Sequence, residues 1–275
     1  ISGINGTLRL VMDIESALFA GTSGIWAGAA LGRSSFGPFW ENGVVVGPQA
    51  PGTVNYTLQG RFGKWRFSMG MFELVAEEAV ENDTSTQTSK RAMLHSFSYS
   101  PTPAWDFGIF EAVVYANRFD PAYLLPLGCF FLQQAMSGYD AEEGLTDNSL
   151  AGLYATWRFT EGWRAKALVF MDDMGFNDII KLNWDTKWLF SGQAGLEWAP
   201  PDSRVRRVSL DYTAVMPYMY SHYYAEGYQN NWTNYGENWG PALLPNSDRV
   251  EARARIDLGE GYDLELVGRF MRHGN

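Results

Sequence analysis

The sequence predicts an all-β fold: an antiparallel transmembrane β-barrel with short periplasmic turns, long extracellular loops and one short luminal helix or plug. Three observations predict it. Runs of residues alternate strictly between apolar and polar, which is the period of a strand whose two faces meet different surroundings. Aromatic residues flank tight turns on the apolar parity of those runs, as rings do at a membrane interface. Connections alternate between short and long, so one end of the sheet is trimmed and the other decorated.

Alternation yields about twelve strands in chain order. Weaker candidates at 7–15 and 25–32 precede the clearest hairpin, where Val54, Tyr56, Leu58 and Phe62 share one face and Asn55, Thr57, Gln59 and Arg61 the other. After Gly63-Lys64, Trp65, Phe67, Met69 and Met71 point outward, and so short a link makes the pair a hairpin. Strands at 93–99 and 105–115 follow, with Tyr99 and Trp105 flanking a Pro101/Pro103 turn. Leu153, Trp157 and Phe159 alternate with Tyr154, Thr156 and Arg158, and the next strand sets Trp163, Ala165 and Val169 against Arg164 and Lys166. Leu196 and Trp198 oppose Gln193 and Glu197 before Pro200-Pro201, and Val208, Leu210 and Tyr212 then oppose Ser209, Asp211 and Thr213. The last pair sets Val250, Ala252 and Ala254 against Glu251, Arg253 and Arg255, then Tyr262, Leu264 and Phe270 against Asp263, Glu265 and Arg269. All of this reads as one domain, 1–275, with a plug or loop at 121–147.

A soluble β-sandwich would also alternate, with the aromatic face as its core. Dense rows of opposed charge such as Glu251, Arg253 and Arg255 suit a wet lumen better, and a sandwich has no reason to gather rings at strand ends. Within 121–136, PAYLLPLGCFFLQQAM lacks alternation, and Leu125, Cys129 and Leu132 fall at helical spacing, so this is the expected plug. The acidic residues after it, Asp140, Glu142, Glu143 and Asp147, read as a solvated loop in preference to a cation site.

Composition narrows the function classes. Aromatics make up 15% of the chain, with 11 Trp, while mean hydropathy is only -0.22, which fits a sheet apolar on one face. No stretch approaches the roughly 18 apolar residues a membrane helix needs. A net charge of -10 argues against nucleic acid. The single Cys129 rules out an internal disulfide. Ile1-Ser2-Gly3 has no basic and apolar leader, so any secretory signal has been removed or lies upstream. No nucleophile elbow or phosphate loop occurs, and His95, His222 and His273 sit in no metal motif. We therefore expect no enzyme, no catalytic residues, no cofactor and no metal.

The 217–244 loop carries Tyr220, Tyr223, Tyr228, Trp232, Tyr235 and Trp239 interleaved with Asn230, Asn231, Asn234 and Asn238. Rings stack on sugar faces and amides bond hydroxyls, so the composition suits carbohydrate. A loop that folds on itself and uses the rings as its own core is the competing reading.

Several segments, in order, resemble the Wzi-like capsule assembly family. They are LGRSSFGPFWENGVVVGPQAPG (31–52), FEAVVYANRFDPAYLLPL (110–127), DNSLAGLYATWRF (147–159), ALVFMDDM (167–174), LDYTAVMPYMY (210–220), NYGENWGPALLPNSDR (234–249) and RFMRHGN (269–275). Phe36-Gly37-Pro38-Phe39-Trp40 departs from that family's Trp-Gly-Pro-Gly form, replacing a glycine turn with aromatics. Family barrels have about eighteen strands, so the resemblance implies either part of a longer protein or a smaller barrel. It implies an outer-membrane lectin that attaches or organises capsular polysaccharide in a Gram-negative-type envelope, with outer-membrane lipid and the barrel-insertion machinery as further partners. On that footing the ligand contacts are the six aromatics above, with Arg33 and Arg249 as partners for sugar carboxylates. The alternatives are a porin or transporter whose lumen is lined by Arg164, Lys166, Asp211, Glu251, Arg253, Arg255, Glu265 and Arg269, or a structural or adhesive barrel.

Overall fold

The computed structural model describes residues 15–39, 41–76, 89–126, 128–137, 147–172, 181, 189–222 and 230–274. Twelve strands form one antiparallel sheet. In chain order they are β1 (Ser16–Gly21), β2 (Ile25–Gly32), β3 (Thr53–Phe62), β4 (Trp65–Leu74), β5 (Lys90–Thr102), β6 (Trp105–Ala116), β7 (Asn148–Thr160), β8 (Trp163–Asp172), β9 (Leu189–Trp198), β10 (Val205–Val215), β13 (Ser247–Gly259) and β14 (Tyr262–His273). A small hairpin, β11 (Thr233–Asn234) with β12 (Glu237–Asn238), interrupts the meander between β10 and β13. Each strand pairs with its chain neighbour, and the sheet is not closed among the described residues.

From β3 onward the strands of the large sheet run 10 to 13 residues, enough to cross a bilayer at the usual barrel tilt. The two-residue turn at Gly63-Lys64 works because Gly63 takes φ 62°, which a hairpin turn of this length requires. Registers then bring the turn-flanking rings together. Trp65 pairs with Tyr99 with ring centroids 4.5 Å apart, Trp105 stacks on Trp157 at 5.0 Å, and Trp163 stacks on Trp198 at 5.9 Å. On the same face Ile109, Leu153, Leu210 and Leu266 are exposed, which is the pattern of a lipid-facing wall below an aromatic girdle.

The opposite face is polar but not open. Buried residues Phe39, Val44, Val45 and Val46 from the β2–β3 connection join Met219, Tyr220, Trp232, Trp239 and Leu243 from the β10–β13 connection. They pack on Leu94, Phe110, Leu150, Leu168 and Phe170 of the sheet. This face is thus filled at the long-loop end by two connections.

One expectation is corrected by these placements. The 121–136 segment does form a 3-10 turn (Pro121–Leu124) and a helix, α1 (Phe130–Ser137), but it packs on the apolar face, not in the lumen. Its Tyr123 and Phe130 are buried against Met93, Val113 and Tyr115, which share the parity of exposed Phe107 and Ile109. Helical spacing identified the element without saying which side of the sheet it covers. Among the described residues the first strand of the sheet is Ser16–Gly21, whose SALFAG sequence has no alternation to announce it; the strand expected at 7–15 lies almost wholly outside the described residues.

Candidate functional site

Side chains of the central strands hold the two filling connections by matched hydrogen bonds. Gln193 of β9 accepts from the Val44 amide at 3.2 Å through Oε1, while its Nε2 donates to the Asn42 carbonyl at 2.9 Å and to Thr213 Oγ1 at 3.0 Å. The Tyr220 hydroxyl lies 2.8 Å from both the Val44 carbonyl and Ser191 Oγ. Burial pushes that phenol well above its ordinary value, so it stays a neutral hydroxyl. Trp232 Nε1 donates to the Val45 carbonyl at 2.6 Å. Tyr220 sits at φ 74°, a strained conformation for a side-chain-bearing residue that these contacts hold in place.

The polar face of β8–β14 carries a ladder of compensated charges. Lys166 Nζ lies 3.2 Å from Asp211 and 3.9 Å from Glu197, and 4.5 Å from the centre of the Phe39 ring. Arg164 meets Glu197 at 3.0 Å, Arg253 meets Glu251 at 3.0 Å and Glu265 at 2.6 Å, and Arg269 meets Glu251 at 2.6 Å. Arg255 pairs with Asp263 at 2.5 Å. Glu41 of the β2–β3 connection enters the ladder through Arg207 and through Arg253, the latter at 3.5 Å. All eight residues expected to line a lumen therefore do fall on the polar face, tied into ion pairs.

The carbohydrate candidates divide. Trp232 and Trp239 are buried with ring centroids 5.0 Å apart, and Tyr220 is buried beside them, so their faces are occupied by protein and they are withdrawn as sugar contacts. Arg249 is also withdrawn: it is buried on the polar face, 4.0 Å from Glu251, with Nε and one terminal nitrogen lacking a hydrogen-bond acceptor among the described residues. Tyr235 remains open, at the turn of the β11–β12 hairpin with its ring exposed, and Tyr218, a few residues from the end of β10, is exposed as well. Arg33 is exposed and donates to the Gln49 carbonyl at 3.3 Å. Tyr223 and Tyr228 lie outside the described residues, as do Asp140, Glu142 and Glu143. Asp147 is buried under Arg118, at 2.8 Å from its Nη1, and accepts from the Tyr123 hydroxyl at 2.6 Å. That carboxylate serves as an anchor for the β6–β7 connection.

Sequence reasoning missed Gln193, Asn42 and Glu41 as the residues that seat the filling connections. Their only signal was the apolar run Val44-Val45-Val46 inside a loop, which demands burial somewhere. Also missed was His95 on the apolar face, whose Nε2 lies 3.1 Å from Glu111 and whose ring stacks on Phe130 at 4.1 Å.

Over 94% of its length, the chain superposes on Wzi of Escherichia coli with a TM-score of 0.63 at 12% sequence identity. The chain shares the fold of Wzi. That protein is described as an outer-membrane, carbohydrate-binding β-barrel involved in group 1 capsule assembly. The match takes in 56% of the Wzi chain, so this sequence spans a little over half of its length. No family model and no curated protein matches the sequence.

Proposed function

We propose that this chain forms the wall and plug of an outer-membrane barrel that binds or organises surface polysaccharide. The observation that carries the reading is the shared fold with Wzi, itself a carbohydrate-binding barrel. The filled polar face supports a binding role over a porin, because conduction needs a continuous wet path and here Val44 to Val46, Trp232 and Trp239 occupy it at the long-loop end. Tyr218, Tyr235 and Arg33 at that end present two exposed rings and a cation to the outside, a combination suited to an acidic or neutral glycan. The role is one of binding without catalysis, with outer-membrane lipid as the other partner. Retention of purified surface polysaccharide by the detergent-solubilised protein tests it. Retention that weakens when Tyr218 and Tyr235 are both replaced by Ala supports the reading, and no retention of any surface glycan overturns it.

A further inference from the structure

The charge ladder of β8–β14 is balanced, but the other half of the polar face is not. At the short-turn end, beneath the β2–β3 connection, lies a cavity of about 610 Å³. Arg61, Lys64, Arg66, Arg158 and Arg164 line it, with Asp106 as its only lining carboxylate among the described residues. Asp106 is taken by Arg66 at 2.6 Å, and Arg164 by Glu197 at 3.0 Å. Among the described residues Lys64 and Arg158 donate only to backbone carbonyls, of Pro101 at 2.6 Å and Pro103 at 2.9 Å, which orient the cations without neutralising them. Arg61 has no carboxylate partner among the described residues.

Three uncompensated cations around one cavity repel each other, and low-dielectric walls focus that field. The imbalance is local, since the whole chain carries -10. A compartment beside the first, of about 410 Å³, shares Arg61, Arg66, Phe36 and Tyr154 with it and adds Gln59, Ser68, Ser96 and Ser98. Guanidinium forks match a carboxylate, and hydroxyls with an amide match sugar hydroxyls. Phe36, held edge-on against Phe110 at 4.9 Å, lines both compartments.

We propose that this cavity binds the carboxylate of an acidic sugar unit. The site rests on the polysaccharide-binding reading and gives it a charge preference and a second location, at the end of the sheet away from the long loops. A polysaccharide contacted there is met from the short-turn side.

Calorimetric titration of the solubilised protein with a uronate-containing oligosaccharide, with its carboxyl-reduced counterpart and with inorganic phosphate tests the proposal. The acidic oligosaccharide is expected to bind at least tenfold more tightly than the reduced one, and phosphate at equal concentration to leave it bound. The Arg61→Gln/Lys64→Gln/Arg158→Gln variant is expected to lose that preference. Carbodiimide coupling of the acidic oligosaccharide to the unaltered protein, with peptide mapping, is expected to place the amide on Lys64, whatever the variant's folding. Unchanged affinity in the variant, displacement by equal phosphate, or adducts confined to other lysines would overturn the site. If the unaltered protein binds both oligosaccharides equally and the variant does too, only this site falls. If it binds neither, the polysaccharide-binding reading falls with it.

Discussion

The indole Nε1 of Trp232 donates to the Val45 carbonyl at 2.6 Å, tying the β10–β13 connection to the β2–β3 connection across the polar face. Both groups are buried, so each is the other's only substitute for water. Trp232→Phe keeps most of the ring and leaves the Val45 carbonyl unsatisfied, an expected loss of about 1–3 kcal/mol. Trp232→Ala also opens a cavity, an expected loss of about 3–5 kcal/mol. Denaturant unfolding in detergent, with proteolysis of the 217–244 connection as a local readout, checks both values and their order.

Lys166 and Asp211 are both buried and 3.2 Å apart. Removing one partner strands the other charge, so Lys166→Met is expected to cost about 3–5 kcal/mol. The double variant Lys166→Met/Asp211→Leu is expected to recover most of that, because a neutral pair packed under Phe39 has no charge to desolvate. A double-mutant cycle on unfolding free energy measures the coupling.

Tyr123 anchors the β6–β7 connection through Asp147. Burial first, and the Asp147 charge second, raise its phenol above the ordinary value. A raised folded-state value means the native protein keeps a proton that the unfolded chain gives up. The contribution is therefore fully present below pH of about 10, where a free tyrosine titrates, and is lost as pH rises beyond it. Stability measured from pH 8 to 11 is expected to fall at the alkaline end in the native protein and to fall less steeply in Tyr123→Phe. The variant itself is expected to lose about 1 kcal/mol at neutral pH.

Tyr218, Tyr235 and Arg33 are exposed, so replacing them tests binding without disturbing the core. The Tyr218→Ala/Tyr235→Ala pair is expected to weaken polysaccharide retention by about tenfold, taking roughly 0.5–1.5 kcal/mol for each ring face lost. Unfolding midpoints are expected to match those of the unaltered protein. A change in midpoint as large as the change in retention would assign these tyrosines to packing.

Most of the wall was legible because alternation is local. Phe62, Trp65, Tyr99, Trp105 and Trp157 declare their face by parity alone, and their ring contacts follow from register. The filling of the wall was not legible in the same way. Trp232 and Trp239 look identical in sequence to sugar-stacking residues, and only their non-local contact with Val44 to Val46 buries them. For 121–136 the period was visible and the side was not, because Tyr123 and Phe130 are apolar enough for either the lumen or the lipid face. The basic cavity was hidden for another reason. Arg61 and Lys64 share one turn but lie far in sequence from Arg158, and the three meet only where three short turns converge.

The central claim is that the polar face is packed at its long-loop end and serves a binding barrel, closed to free passage of solutes. Planar-bilayer conductance of the reconstituted protein tests this most directly. The account predicts no large steady current from the unaltered protein, and open steps once Trp232→Ala releases the plug. Large steady currents from the unaltered protein, unchanged by that substitution, would contradict it.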